Sequence, residues 1–543
     1  MTELMEREQQ AAAVRAAVGR WAGAGPDRAE QEKQERAQRR RQQTKVLLNP
    51  WDADTITEPG ERGWSGPGGG RTFWREPPPE IRGTSVQVNG AFYPFGISGG
   101  LPSVGVPLGR TLTPAAERVS CDPISWFLAN RLLSPIMFLL GLPALGKTSL
   151  IRQMVGIMPV WGITPIIMSD IRPGTDFGPV IDSIGGYRIQ VGPGAGTINP
   201  LDPGPMAGYL SELPEKELLE CLALIRNSRI NLTQGLLEIV RGKPLADTEK
   251  TLLAAGIDVL DQEHDGVPVL QDLVAVIASR HDRLRQVAYD RGDDNRYDDL
   301  AEGLLRSLAA LGGDGPFGAT FAGQSSFELD LTRPVDMDLS SIPQGADELM
   351  GAAQLATWSL LSSTVAAAKY LAAAGVIEDR TYLLVGDELH RPLKALPVIA
   401  KYLDVMIRLI RTLKLGAIFC THTMEDLRLP DPQLTTLAWG FVEKSPLVVM
   451  GGLSRKEMGN LVTVFDMSQS EQDALVGWTD QPAVDPDTSQ EGEPPGRGKF
   501  LLKVGRSPGI AFRANLSPVV KEVNDTNSSW DELRAARMYG SQE

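Results

Sequence analysis

The chain has 543 residues, a formal net charge of −14 at pH 7, 42% apolar and 22% charged residues. The length exceeds one ordinary core, and the composition is that of a globular protein, which excludes wholesale disorder. The acidic balance counts against a surface built to clamp nucleic acid, a basic pore inside an acidic ring being the exception; three distant cysteines, Cys121, Cys221 and Cys420, imply no disulfide framework and, with the four histidines, show no metal-ligand spacing.

Residues 1–58 read as a charged tail with Arg36, Arg39, Arg40 and Arg41 toward its end. It is either solvated or an arm for a partner or an anionic lipid surface, and its first residues lack the apolar core of a signal peptide. Residues 59–82 are rich in Gly and Pro, a linker, and 83–130 predict a small β-containing segment leading into the main domain. An apolar strand over 136–140, a helix over 149–157 and a strand over 165–168 alternate as in a parallel sheet with helices on its faces. This is the first part of a motor domain, 131–205.

Helical periodicity then takes over, with Leu218, Leu219 and Leu222, and later Leu300, Leu304, Leu305 and Leu308, near turn spacing. It predicts an α-helical insertion over 206–330. The second part of the motor, 331–478, carries strands over 334–338, 382–385, 417–421 and 446–450. Between the first two lies 351–377, with a single charge, Lys369. Its Ala, Ser and Thr content and Gln354 predict a helix packed on the sheet, not a membrane span. An acidic loop over 479–498 and a C-terminal hairpin and tail over 499–543 complete the chain, which shows no internal repeat.

Gly141-Leu142-Pro143-Ala144-Leu145-Gly146-Lys147-Thr148 fits G-x-x-x-x-G-K-[ST] without a mismatch, and Ser149 follows it into the helix. Such a glycine loop turns backbone N–H groups toward phosphate oxygens at a helix N-terminus. Lys147 is then the cation for the β- and γ-phosphates of ATP, and the Thr148 hydroxyl a ligand of Mg²⁺. Asp387-Glu388 closes an apolar strand. Asp387 suits the Mg²⁺ shell, and Glu388 suits the base that polarises the attacking water.

The 417–421 strand leads into His422, a candidate γ-phosphate sensor, although a lone histidine is more often a satisfied structural residue. Hydrolysis of this kind commonly recruits a cation from a neighbouring copy. Arg408, Arg411, Lys414, Arg497 and Arg506 are the candidates, Arg411 and Arg506 foremost, each more often a surface charge taken singly.

With these motifs in place, the chain resembles the large ATPases of type IV secretion and conjugation systems, the TraC/TrbE/CagE group within the HerA/FtsK-like P-loop motors. The resemblance rests on the octet, on Ser169-Asp170-Ile171-Arg172, on Gly185-Gly186-Tyr187 with Ile198-Asn199-Pro200-Leu201-Asp202, on Val335-Asp336-Met337-Asp338-Leu339-Ser340 and on Asp387-Glu388-Leu389-His390. It implies a RecA-like α/β domain with a mostly parallel sheet, a helical insertion and a short β-containing N-terminal extension. It further implies ATP and Mg²⁺, a homo-oligomer such as a hexameric ring, membrane-embedded secretion components as partners and DNA or protein as substrate. The implied place is cytoplasmic, peripheral at the inner face of the cell membrane, with no integral membrane segment. Where the family usually has Gln after the Thr of the third strand, this chain has His422; where an Arg-Lys pair is common, it has Leu413-Lys414. A DNA-translocating motor and a nucleotide-gated scaffold with little turnover are the rival readings.

Overall fold

The structure, a computed structural model, describes residues 101–113, 116–171, 176–343, 345–395, 400, 403, 407, 410, 413–480 and 494–522. The charged tail, the Gly/Pro linker, most of the acidic loop, the C-terminal tail beyond 522, Arg172, Arg408 and Arg411 lie outside the described residues.

Among the described residues eleven strands make one sheet: β1 (Pro107–Thr111), β2 (Arg118–Ser120), β3 (Ile136–Leu140), β4 (Ile163–Asp170), β5 (Tyr187–Gln190), β6 (Val335–Asp338), β7 (Thr381–Gly386), β8 (Leu415–Cys420), β9 (Leu447–Met450), β10 (Lys499–Val504) and β11 (Ile510–Ala514). Their order is β2-β1-β11-β10-β9-β3-β8-β7-β4-β6-β5. From β9 to β5 every neighbouring pair is parallel, and from β9 to β2 every pair is antiparallel.

Parallel strands covered on both faces are apolar throughout, and β3 shows why. All five of its residues are buried. Ile136, Phe138 and Leu140 enter one core with Ile166 and Met168, while Met137 and Leu139 enter the other with Ile167, Leu383 and Ile418. Helix α1 (Lys147–Ile157) covers the second face through Leu150, Ile151 and Met154, and short α2 (Gly178–Ser183) lies beside it.

The first face carries the helical insertion: α3 (Glu215–Arg241), α4 (Asp247–Glu263), α5 (Leu270–Ala278), α6 (Asp282–Ala288) and α7 (Asp294–Gly312). Leu304, Leu308 and Leu311 are fully buried at the three- and four-residue spacing of one helix face. Leu218 is buried but Leu219 is exposed, so only one of that adjacent pair faces inward. The fork of Arg241 holds Glu249 at 2.6 and 2.7 Å, tying α3 to α4, and the buried Arg229 meets Asp261 at 2.8 Å.

Helix α8 (Asp347–Ala373) is the stretch with the single lysine. It packs against β4 and α3, with Gly, Ala, Ser and Thr allowing close approach and Trp358 fully buried. Lys369 is held by Asp379 at 2.6 Å. No helix of the described residues is long and apolar enough to cross a membrane.

The sequence predicts a small N-terminal β segment and a closing hairpin, and in the structure both lie in the main sheet. The β10–β11 hairpin pairs with β9, and β1 pairs with β11. Burial of Leu108, Phe500 and Phe512 against Met137 and Leu139 explains the merger, since the hairpin's apolar face would otherwise remain in water.

Candidate active site

The order β3-β8-β7-β4 brings the C-terminal ends of the strands carrying the glycine loop, His422 and Asp387-Glu388 to one edge. Ligands of open α/β sheets bind at this edge. Gly141 leaves β3 at φ +153° and donates its N–H to the His422 carbonyl at 2.9 Å. Leu142 donates to Gly452 at 2.9 Å, so the loop is pinned from both flanking strands. Ala144 at φ +63° and Gly146 at φ +96° make left-handed turns before α1 begins at Lys147. Pro143 and Ala144 are the exposed tip, and Leu145 is buried behind them.

Lys147 is 7% exposed and lies back over its own loop, donating to the carbonyls of Gly141 at 2.6 Å and Leu142 at 3.1 Å. Its ammonium is also 3.1 Å from His422 Nδ1. An ammonium has no acceptor, so Nδ1 accepts and the imidazole proton sits on Nε2. That nitrogen faces Glu388 Oε2 at 3.3 Å. The Thr148 hydroxyl meets Asp387 Oδ2 at 3.4 Å across the intervening β8. Ser149 follows one position into α1, half-buried.

Glu388 is held at φ +50°, a left-handed conformation that costs a non-glycine residue about 1–2 kcal/mol. Two bonds fix it: its N–H donates to Asp387 Oδ1 at 2.9 Å, and the next N–H, of Leu389, donates to Cys420 at 2.9 Å. The turn aims a buried carboxylate at the end of the neighbouring strand instead of into solvent. His390 completes this wall, with Nδ1 3.4 Å from Glu388 Oε2 and 3.2 Å from the Thr421 hydroxyl. Its ring centroid is 5.3 Å from that of His422. Burial pushes the His390 imidazole down to about 4, against a smaller opposing pull from Glu388, so it is neutral near pH 7.

The candidate cations are dispersed. Val504 pairs with Leu447 at the start of β9, whereas Leu501 pairs with Met450 at its end. Arg506 therefore lies at the sheet end opposite the glycine loop of its own chain, exposed, 3.7 Å from Asp466. Lys414 precedes β8 at that same far end, bound to Asp379 at 2.8 Å. Arg497 is different: it is exposed, and the next N–H, of Gly498, donates to Leu145 of the loop at 3.0 Å. Among the described candidates it is the one whose backbone borders the chain's own glycine loop.

Two features escape sequence reasoning. His390 belongs to the wall around Glu388, and Glu388, His390 and His422 bring three potential ligand atoms within 4.8 Å of one another. The linear spacing of the histidines hides this; the strand order reveals it, because the residues just after β7 and just after β8 must be neighbours.

No family model matches the chain, and no curated protein matches it in sequence. Among solved structures, VirB4 of Thermoanaerobacter pseudethanolicus is similar with a TM-score of 0.56 at 17% identity, over 78% of this chain and 99% of that one. The plasmid coupling protein TrwB in complex with ADP and Mg²⁺ aligns with a TM-score of 0.43 at 12% identity, over 77% of this chain and 96% of that one. The described residues share the RecA-like P-loop fold of VirB4, which agrees with the resemblance carried by the motifs.

Proposed function

We propose that the chain is a Mg²⁺-dependent ATPase that energises assembly of, or substrate transfer through, a conjugative type IV secretion apparatus. The observation that carries the reading is the convergence of Lys147, Thr148, Asp387 and Glu388 at one edge of the sheet. The Thr148 hydroxyl and the Asp387 carboxylate are a hard-oxygen pair that fits Mg²⁺. An Mg²⁺ held by these two residues would neutralise phosphate charge.

The chain's own residues do the rest. Left-handed turns at Ala144 and Gly146 present backbone N–H groups to the phosphates ahead of α1. Lys147, resting on loop carbonyls and His422, supplies the positive charge for the β- and γ-phosphates once it exchanges those neutral partners for an anion. Glu388 takes the proton of the attacking water, with His390 and His422 on either side of its carboxylate.

The secretion role rests on the motif resemblance and on the shared fold with VirB4. A cation from a neighbouring copy completes the site in an oligomer, and membrane-embedded components of the apparatus are the partners. Phosphate release by the purified chain with ATP and Mg²⁺, compared with Lys147→Ala, tests the enzymatic part. Loss of activity in the variant is expected, and equal turnover in both overturns it. Recovery of the chain with a membrane-bound transfer apparatus, and its absence from membranes lacking that apparatus, tests the rest.

A further inference from the structure

We propose that Glu388, His390 and His422 form a second, inhibitory metal site, selective for a borderline transition ion of the Zn²⁺ class and separate from the oxygen ligands of Mg²⁺. The set holds two imidazole nitrogens and one carboxylate oxygen. Imidazole suits Zn²⁺, Co²⁺ and Ni²⁺, whereas Mg²⁺ prefers an all-oxygen shell with water.

The geometry suits such an ion. Ligands bonded at 2.0–2.1 Å in a tetrahedral shell sit roughly 3.3–3.4 Å from one another. Glu388 Oε2 is 3.3 Å from His422 Nε2 and 3.4 Å from His390 Nδ1. The three atoms lie within 4.8 Å of one another, so only the nitrogen–nitrogen edge has to close. Backbone bonds fix the frame: Leu389 donates to Cys420, and Gly141 donates to His422. Both imidazoles stay partly open to solvent, which leaves an entry path.

Occupation has a defined consequence. A metal on His422 Nε2 moves that ring's proton to Nδ1, which now faces the Lys147 ammonium as a second donor. The Lys147–His422 contact breaks, and the Glu388 carboxylate is spent on the metal. Resting on the ATPase reading, this means nucleotide still binds through the glycine loop while hydrolysis stops.

The metal site itself is tested without activity. Equilibrium dialysis of the full chain against Zn²⁺, without nucleotide, should show one saturable ion per chain. X-ray absorption at the zinc edge should show two imidazoles. Affinity should fall about tenfold or more in His390→Ala and in His422→Ala, and stay level in His264→Ala and His281→Ala, whose histidines pair elsewhere with Asp272 and Glu263. Glu388→Gln, close in size, is the variant to use if a histidine variant fails to fold, and it too should lose affinity. No saturable binding, or binding that follows His264 or His281, overturns the proposal. Chelator-reversible inhibition by Zn²⁺, with nucleotide binding intact, is expected of the active protein. A chain that binds Zn²⁺ through this set but never hydrolyses ATP would refute the ATPase reading and leave the metal site standing.

Discussion

His390 offers a stability test that needs no substrate. In the folded chain its imidazole, 13% exposed, is pushed by burial from the ordinary 6.5 down to about 4. Between these values the unfolded chain binds a proton that the folded chain refuses, so acidification favours unfolding. The sign is therefore definite: the contribution is intact above pH 6.5 and lost as pH falls toward 4. At about 1.4 kcal/mol per pH unit the full loss is about 3 kcal/mol, of which about 2 kcal/mol falls between pH 7 and pH 5. His390→Gln keeps a neutral polar side chain and removes the titration. Urea unfolding of both proteins at pH 7, 6 and 5 should show the wild type losing about 2 kcal/mol more than the variant over that interval. Equal pH dependence in the two proteins would refute the burial of a neutral His390 beside Glu388.

Asp336 should titrate with the opposite sign. Fully buried, with no hydrogen bond from a described residue to either carboxyl oxygen, it is held well above the usual carboxylate range by burial and then by Asp170 and Asp338. The folded chain keeps its proton longer, so stability falls as pH rises above the ordinary carboxyl range, and Asp336→Asn should remove that loss in the same urea series. Lys147→Ala should weaken nucleotide binding or turnover by a hundredfold or more, about 3 kcal/mol of charge-assisted contact, read by binding of a fluorescent ATP analogue and by phosphate release. Turnover per chain should rise with protein concentration as shared sites assemble. Mixing Lys147→Ala with an Arg506→Ala chain should restore activity if Arg506 acts from the neighbouring copy. Arg497→Ala, which alters a residue bordering the chain's own loop, should not be rescued by Lys147→Ala.

Much of this architecture is legible in the sequence because its strands are short apolar runs ending in chemistry. The 136–140 run, the glycine octet and the 382–385 run before Asp387 each announce strand, loop and edge, and the fold follows from their alternation. What is hidden is what depends on lateral order. Nothing in the spacing of residues 107–111 says that they pair with 510–514, since that pairing is set by a shared apolar face. The partnership of His390 with His422 is hidden for the same reason. The two are far apart in the chain and meet only because β7 and β8 are neighbours. Arg506 reads as a candidate because it flanks a strand near the end of the chain. Antiparallel pairing with β9 carries it to the far end, and register of that kind is invisible until the partner strand is known.

On the proposed reading Glu388, held in its left-handed turn beside the glycine loop, is the base for ATP hydrolysis. Single-turnover hydrolysis of ATP with Mg²⁺ by the wild type and by Glu388→Gln tests that role. Both proteins should bind ATP alike, and the variant should hydrolyse it about 10²–10⁴-fold more slowly, because an amide cannot accept the proton of water. Hydrolysis at the parent rate in the variant, or no hydrolysis in either protein despite bound ATP and Mg²⁺, would contradict it.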